Sequence, residues 1–168
     1  NIYTYKSSIF IHANVQVSKR FEEVAKHALR SDVNHQHGAV VMRNGSPIAW
    51  GFNSIKGNRT YHAEHDAIRR YLSLKGIKGW EKGNVFYGNT REERKIRRIM
   101  RNVSVVVIRW NGYRFMNSRP CKHCSKMLRT IGVKTIYYSD EEGDITYERV
   151  KDLHSEHLSL ARRAGLDL

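Results

Sequence analysis

Three residues with metal-binding side chains and one acid stand in two short motifs of the chain. The first motif is His62-Ala63-Glu64, and the second is Pro120-Cys121-Lys122-His123-Cys124. One imidazole and two thiolates are typical zinc ligands, and three protein ligands leave a fourth tetrahedral position open to water, as in catalytic sites. We therefore expect His62, Cys121 and Cys124 to bind Zn²⁺.

Glu64 is the acid of this group and is not expected to be a ligand. Bound zinc lowers the pKa of a coordinated water from that of bulk water to about 7, so that a nucleophile exists at neutral pH. Glu64, two residues after His62, could take a proton from that water and return it to a ring nitrogen and a departing amine. The predicted catalytic residue is therefore Glu64.

Two other interpretations of these motifs stay open at this point. A single Cys-x-x-Cys also occurs as a thioredoxin-type redox motif in intracellular proteins. A purely structural zinc would need a fourth protein ligand, for which His65 or His123 is available. Because both motifs are present in order, each beside strand and helix patterns, we favour a hydrolytic zinc site over these alternatives.

Two helices are predicted to position the motifs. Apolar residues recur at helical spacing between His62 and Leu72, so a helix beginning there would carry Glu64 in its first turn. Pro120 fits the beginning of a second helix, in which Cys121 and Cys124 share one face. Ligands from the starts of two helices could then converge on one ion.

Strands are predicted around these helices. Residues 39–42 and 48–52 are short apolar segments, and Asn44-Gly45 between them favours a tight antiparallel hairpin. Residues 103–110 are nearly all β-branched or aromatic, which indicates a central strand buried on both faces. Residues 134–138 follow the second helix and should pair in parallel with that strand, giving a mixed sheet between helices.

The two motifs match the pattern His-x-Glu and Pro-Cys-x-x-Cys of zinc deaminases that act on cytosine or adenine. The chain is thereby identified as similar to the cytidine deaminase superfamily over about residues 20–140. Residues 37–53 resemble the paired strands before the zinc helix, and residues 118–139 resemble the second ligand loop, helix and strand. The resemblance implies an α/β fold of three layers, α/β/α, with a central mixed five-stranded sheet in one domain over residues 1–168.

The resemblance also implies contacts to the substrate. A Gly-Ala-Val strand would form the floor of the pocket, an Asn after the next strand would contact ribose or base, and backbone groups of Cys121 and of Arg119 or Ser118 would lie near the exocyclic amine. Tyr61 directly precedes the ligand His62 and is the favoured aromatic for a base contact, whereas Trp50 and Trp110 are expected in the core. The predicted substrate-binding residues are Gly38, Ala39, Asn53, Tyr61, Ala63, Arg119 and Pro120.

Charge is the second informative property of the chain. There are 30 Lys and Arg residues against 16 Asp and Glu, a net charge of +14, which favours a polyanionic partner. The 58 residues between His62 and Cys121 are about twice the spacing associated with compact family members, so the resemblance implies a basic insertion near residues 75–102. Within it, residues 91–101 predict an amphipathic helix. The candidate nucleic-acid-binding residues on its outer face are Arg94, Arg97, Arg98 and Arg101.

The expected function is zinc-dependent hydrolytic deamination of cytosine to uracil, in a cytidine or deoxycytidine nucleotide or in single-stranded DNA or RNA. The short Ser-Arg-Pro-Cys approach to the second motif is more similar to cytidine-type members than to the Glu-Pro-Cys of tRNA adenosine deaminases. A tRNA-type adenosine deaminase stays open as an alternative, as does a non-catalytic, zinc-stabilised nucleic-acid-binding module. The resemblance further implies a homo-oligomer.

Composition bounds the remaining expectations. No apolar run approaches the roughly 18 residues of a membrane helix, and the start of the chain lacks the pattern of a secretory signal. Both cysteines are assigned to metal, which favours a reducing, intracellular location in cytoplasm or nucleus.

Ser18 is a candidate N-cap for an amphipathic helix, residues 1–17 are expected to add an edge strand, and residues 147–168 are expected to pack as a helix.

Overall fold

The computed structural model describes residues 20–57, 59–80 and 90–158. Its helices are α1 (residues 20–28), α2 (Ala63–Leu74), α3 (Arg91–Met100) and α4 (Lys122–Ile131). Its strands are β1 (Gln36–Arg43), β2 (Ser46–Phe52), β3 (Ser54–Lys56), β4 (Arg59–Tyr61), β5 (Val103–Trp110), β6 (Phe115–Met116), β7 (Thr135–Ser139) and β8 (Ile145–Arg149). A 3₁₀ turn over Val150–Asp152 follows β8.

One mixed sheet forms the centre of the fold. Its strand order is β2-β1-β5-β7-β8, and the short β6 pairs with β5 off this path. Strands β5 and β7 are parallel, while the other neighbours in the order are antiparallel. The predicted α/β class with a mixed five-stranded sheet is therefore confirmed. The hairpin of β3 and β4, which leads into α2, was not predicted.

The two faces of the sheet carry separate apolar cores, because neighbouring residues of a strand point to opposite sides. In β1, Ala39 and Val41 belong to the core that includes α2, α3 and α4. Val40, between them, belongs to the core that includes Phe21 and Val24 of α1. The layers are therefore helix, sheet and helix, as expected for the three-layer fold.

Helix α2 lies against β2 at very close range. A Cβ atom on Gly51 would be 2.3 Å from the backbone nitrogen of Ala67 and 2.6 Å from the carbonyl oxygen of Ala63, so only glycine fits there. A hydrogen bond also joins the two elements, since a carboxylate oxygen of buried Asp66 accepts from the Phe52 N–H at 3.4 Å. These contacts fix the helix that carries His62 and Glu64.

Helix α4 connects β5 to the parallel strand β7. The helix ends at Gly132, whose φ of 85° is the left-handed conformation typical of helix C-termini. The parallel pairing runs from Ser104 opposite Thr135 to Val107 opposite Tyr138, as the sequence predicted. The ligand-bearing start of α4 therefore lies beyond the carboxyl end of β5.

Helix α3 begins with a capping box of Thr90 and Glu93, which explains why the Glu93 side chain is buried. Ile96 and Met100 face the core, as predicted for this amphipathic helix. Insertion of residues 75–102 stays a prediction, since residues 81–89 lie outside the described part of the chain.

Several expectations on other segments differ from the structure. The helix expected over residues 147–168 is wrong over its described part, because residues 147–149 belong to β8, an edge strand antiparallel to β7, and the 3₁₀ turn of Val150–Asp152 is followed by non-helical residues up to 158. Pro120 lies one residue before the N-cap of α4, which is Cys121. Trp50 and Trp110, expected in the core, are only half-buried. The expectations for residues 1–17, Ser18 and residues 159–168 lie outside the described residues.

Across the described ranges, none of the helices combines the length and the apolar surface that crossing a bilayer requires.

Candidate active site

The three predicted ligands meet at the starts of two helices. His62 is the N-cap of α2, Cys121 is the N-cap of α4, and Cys124 lies in the first turn of α4. His62 Nδ1 is 3.5 Å from the Cys121 sulfur and 3.3 Å from the Cys124 sulfur. All three ligand atoms lie within 4.8 Å of one another.

This geometry fits Zn²⁺. With Zn–S bonds of about 2.3 Å and Zn–N bonds of about 2.0 Å, a tetrahedral ion places its nitrogen and sulfur ligands about 3.5 Å apart. The two measured N···S distances are close to that value. Neither cysteine is joined in a disulfide, and both thiols therefore remain available as ligands. The cluster of His62, Cys121 and Cys124 thus fits a Zn²⁺ site.

A fourth protein ligand, which the structural-zinc alternative needs, is absent from this cluster among the described residues. His65 instead stacks on Trp80, with ring centroids 5.0 Å apart and planes 25° apart. His123 is exposed on the outer side of α4. Three ligands leave one tetrahedral position for water, which is the arrangement of catalytic zinc sites.

The surroundings of Cys121 favour its thiolate. A hydrogen bond with the Cys124 side chain and the nearby His62 imidazole lower the pKa of Cys121 to about 4, against the opposing effect of burial. The Cys124 backbone N–H, at the start of α4, also donates to the Cys121 sulfur at 3.5 Å. N–H groups at a helix start stabilise negative charge, and a deprotonated thiol is the form that binds metal.

Glu64 lies in the first turn of α2 and is 5% exposed. Burial raises the pKa of its carboxyl group above the usual value, while the nearby His62 opposes that shift. The Cys124 side chain is within hydrogen-bond reach of the carboxyl, so the acid lies directly beside the ligand cluster. A buried carboxyl next to an open zinc position is the arrangement expected for proton transfer.

The residues predicted to form the pocket floor divide between the two faces of β1. Ala39 and Ala63 are fully buried in the same core as α2. Gly38 faces α1 instead, where a Cβ atom would be 2.4 Å from the Val24 carbonyl oxygen. Gly38 thus serves the close packing of α1, because adjacent residues of a strand point in opposite directions.

Asn53 follows β2, as predicted, and ties the loop before β1 to the end of β2. Its side-chain oxygen accepts a hydrogen bond from the His37 N–H at 2.7 Å, and its amide donates to the His35 carbonyl oxygen at 2.7 Å. A carboxamide has two N–H groups and two lone pairs. These two hydrogen bonds therefore use one N–H group and one lone pair of the buried Asn53 side chain.

Tyr61 is half-buried at the end of β4 and belongs to a short column of rings. Its ring centroid is 6.1 Å from that of His65, and the Lys56 ammonium lies 5.4 Å from the centroid of the Tyr61 ring. The next ring is Trp80, whose buried indole nitrogen has no hydrogen-bond partner among the described residues. Sequence analysis did not single out Trp80 or His65 for this column, because neither lies in a motif.

Residues 117–121 form the loop before α4, and here it is called the ligand loop. The Ser118 hydroxyl donates to the Val107 carbonyl oxygen at 2.9 Å, and the Ser125 hydroxyl donates to that of Pro120 at 3.3 Å. Arg119 forms an ion pair with Glu148 of β8. Sequence analysis missed Glu148, since its only signal would have been an acid in a strand far along the chain.

The four arginines proposed as nucleic-acid ligands lie on the exposed side of α3. Arg97 donates from Nε to the Thr130 carbonyl oxygen at 3.1 Å, near the C-terminal end of α4. Thr130 is nine residues from Cys121, or about 14 Å along a helix at 1.5 Å per residue. Through Arg97, helix α3 therefore contacts the end of α4 that is remote from the metal ligands.

Comparison with known proteins gives a family for the chain. Residues 12–140 match the model of the family described as the cytidine and deoxycytidylate deaminase zinc-binding region. No curated protein sequence matches significantly. Among solved structures, a cytidine deaminase from Burkholderia pseudomallei is 15% identical to this chain, with a TM-score of 0.54. The similarity covers 82% of this chain and 94% of that one, and it shows a likeness of fold. A dCMP deaminase from the cyanophage S-TIM5 is 20% identical, with a TM-score of 0.48, over 76% of this chain and 84% of that one.

Proposed function

The chain belongs to the cytidine and deoxycytidylate deaminase family, and we propose that it deaminates cytosine to uracil in a cytidine or deoxycytidine nucleotide. The family and the zinc site point to zinc-dependent hydrolytic deamination. The observation that carries the proposal is the buried Glu64 carboxyl beside the cluster of His62, Cys121 and Cys124.

Bound zinc supplies a water of lowered pKa as the nucleophile at neutral pH. With zinc bound, Glu64 would take one proton from the coordinated water and pass it to ring nitrogen N3 as the oxygen bonds to C4. It would then take the second proton from that oxygen and pass it to the amino group, so that the C4–N bond breaks and ammonia leaves. One carboxyl can fill both roles, because it accepts a proton as a base and donates that proton again as an acid.

Contacts to the rest of the substrate are proposed from the same arrangement. The Cys121 N–H and the Arg119 carbonyl would lie near the exocyclic amine, with Pro120 holding the loop between them. Ala39 and Ala63 would form the floor under the ring. Asn53 would contact the ribose or base with its remaining amide groups, and Tyr61 would lie against the base.

A mononucleotide is the favoured substrate size because α3, the most basic element, contacts the remote end of α4 through Arg97 and Thr130. A guide for a polynucleotide would be expected beside the pocket. The second candidate, single-stranded DNA or RNA, is favoured by the net charge of +14. A base in nucleic acid would have to be single-stranded or flipped to reach the buried site.

A panel of substrates tests the proposal. The zinc-loaded protein is incubated with dCMP, CMP, cytidine, single-stranded DNA, RNA and an adenosine-containing tRNA anticodon stem-loop, and uracil or inosine is measured by mass spectrometry. We expect conversion of a cytosine monomer, and Glu64→Ala should abolish turnover while zinc stays stoichiometric. Inosine formation would support the adenosine alternative. Salt-sensitive binding of nucleic acid without any conversion would support the non-catalytic module and overturn the proposal.

A further inference from the structure

An ion pair holds the ligand loop from outside the region that matches the family. Arg119 lies two residues before Cys121, and its Nε and Nη2 donate to the two carboxylate oxygens of Glu148 at 3.1 and 3.3 Å. Glu148 is in β8, after residue 140, where the family match ends. An acid outside the family region therefore contacts the loop that supplies a zinc ligand.

Tyr138 completes this contact. Its hydroxyl donates to the same Glu148 oxygen that accepts from Arg119 Nε. Tyr138 in β7 is 7% exposed, and Glu148 lies in the neighbouring strand β8. The acceptor for Arg119 is thus held by a buried side chain and by a sheet, whereas Arg119 itself belongs to a loop.

The geometry distinguishes this pair from a second one beside Cys121. Lys122 Nζ is 2.7 Å from Glu156, but these side chains are 54% and 89% exposed. The Arg119 and Glu148 side chains are 41% and 26% exposed and are joined by two parallel hydrogen bonds. Single-point exposed pairs contribute little, whereas bidentate pairs with a fixed acceptor are stronger and directional.

We propose that Glu148, held by Tyr138, is a positioning residue that sets the place of the ligand loop through Arg119. The loop supplies the Cys121 thiolate, the Cys121 N–H and the Arg119 carbonyl, so a shift of the loop would move a zinc ligand and two substrate contacts together. The substrate part of this inference rests on the proposed deaminase function. The predicted effect of Glu148 on the zinc ligand Cys121 does not depend on that function.

The other ties of the loop show what the pair adds. Ser118 is held at Val107 and Ser139, and Pro120 is held at Ser125. Arg119 lies between these anchors and is exposed. Its side chain is held by Glu148 of β8 and lies within hydrogen-bond reach of Tyr138 of β7, so both residues of this contact bear on the loop. Small displacements near a reacting centre are costly, since about 1 Å of misplacement can lower a rate about 100-fold.

Three measurements on the zinc-loaded protein test the inference with Glu148→Gln and Tyr138→Phe. Hydrogen exchange of a peptide covering residues 117–124 is followed by mass spectrometry, zinc release is followed with a chromogenic chelator, and kcat/KM is measured on the best substrate. For Glu148→Gln we expect about tenfold faster exchange in that peptide, faster zinc release and about tenfold lower kcat/KM. Tyr138→Phe should change the same three quantities in the same direction, by less.

Glu156→Gln is the matched control, because it removes the exposed pair on the other side of Cys121. We expect all three quantities to stay within about twofold of the unsubstituted protein. The double exchange R119E/E148R restores an ion pair with reversed charges. It should recover a large part of the exchange protection that Glu148→Gln loses, while peptides of β1 and β5 exchange equally in every variant.

Unchanged loop exchange and zinc release in Glu148→Gln would overturn the inference. Faster exchange spread over β1 and β5 as well would also overturn it, because Glu148 would then only stabilise the fold. If no substrate is turned over by any variant, the proposed function fails, yet exchange and zinc release still decide the role of Glu148.

Discussion

His62, Cys121 and Cys124 reach one point because each lies at or beside the start of a helix. At a helix start the backbone N–H groups are unpaired, so a side chain there is close to several donors. The Cys121 sulfur uses the Cys124 N–H in this way. The same partial positive charge favours thiolates, which links the position of the ligands to their chemistry.

The first prediction belongs to this residue scale. Cys124→Ala should lose zinc, because two protein ligands remain where a stable site uses at least three. Metal content after gel filtration, measured by atomic emission, checks this. His123→Ala is the control: His123 lies in the same motif but outside the cluster, and zinc should stay stoichiometric. A Cys124→Ala protein that keeps one zinc per chain would contradict the ligand set.

His37 is a further residue that the sequence did not indicate. Its N–H holds Asn53, and its ring nitrogen Nδ1 lies 2.8 Å from the His35 carbonyl oxygen. Burial lowers the pKa of His37 to about 4, so its ring is neutral at physiological pH. The start of β1 is thus joined to Asn53, which follows β2, by a residue whose ring is uncharged.

The packing of α2 on β2 decides where Glu64 lies at the scale of elements. Backbone contacts at Gly51 bring the helix against the strand without any side chain between them. Asp66, which binds the Phe52 N–H, also pairs with Arg69 and Arg70 of its own helix. The negative charge of the buried Asp66 carboxylate is therefore balanced by two arginines and by a backbone N–H donor, as a buried charge requires.

Gly51→Ala tests this contact. The added methyl group would meet the Ala67 backbone at 2.3 Å, and α2 would have to move away from the sheet. We expect the free energy of unfolding to fall by about 1–3 kcal/mol, as for overpacked cores, and kcat to fall further because Glu64 moves with the helix. Urea unfolding followed by circular dichroism measures the first effect.

Ser46→Ala is the control for Gly51→Ala, because Ser46 is exposed in the same strand. Its free energy of unfolding should change by less than about 0.5 kcal/mol. Equal stability of Gly51→Ala and the unsubstituted protein would show that α2 does not depend on this close approach.

The basic helix α3 contacts α4 away from the metal ligands. The exposed side of α3 carries Arg98 and Arg101 at the end of α4 remote from Cys121. Long-range attraction of polyanions follows from such a surface whatever the substrate is. Binding of nucleic acid and catalysis at zinc are therefore expected to be separable.

The salt dependence of binding tests this separation. We expect a fluorescent single-stranded DNA to bind with an affinity that falls steeply as salt rises, and Arg98→Gln with Arg101→Gln should reduce the slope by about one unit per replaced side chain. Fluorescence anisotropy at several salt concentrations gives the slope. A slope unaffected by both replacements would place any nucleic-acid contact elsewhere on the surface.

Two statements about the whole molecule stay proposals. One is that residues 1–168 form a single deaminase domain with a basic insertion at residues 75–102. The other is that the chain forms a homo-oligomer, which rests on family resemblance and which sedimentation equilibrium would measure.

The sequence by itself predicted three ligands that the structure brings together, the acid beside them and the order of most elements. His62, Glu64, Cys121 and Cys124 are recognisable because residue type and spacing follow directly from metal chemistry and from the helix period. The strands over residues 103–110 and 134–138 are equally local, since apolar β-branched runs show in the sequence itself. The parallel pairing also followed, because one helix connects the two strands.

Only the tertiary structure decided which surface each residue meets. Gly38 faces α1, Arg97 binds the far end of α4, and Glu148 of β8 holds Arg119. These contacts join residues 14 to 33 positions apart in the chain. No local spacing records them, because they depend on how strands are ordered in the sheet and on which face each helix covers.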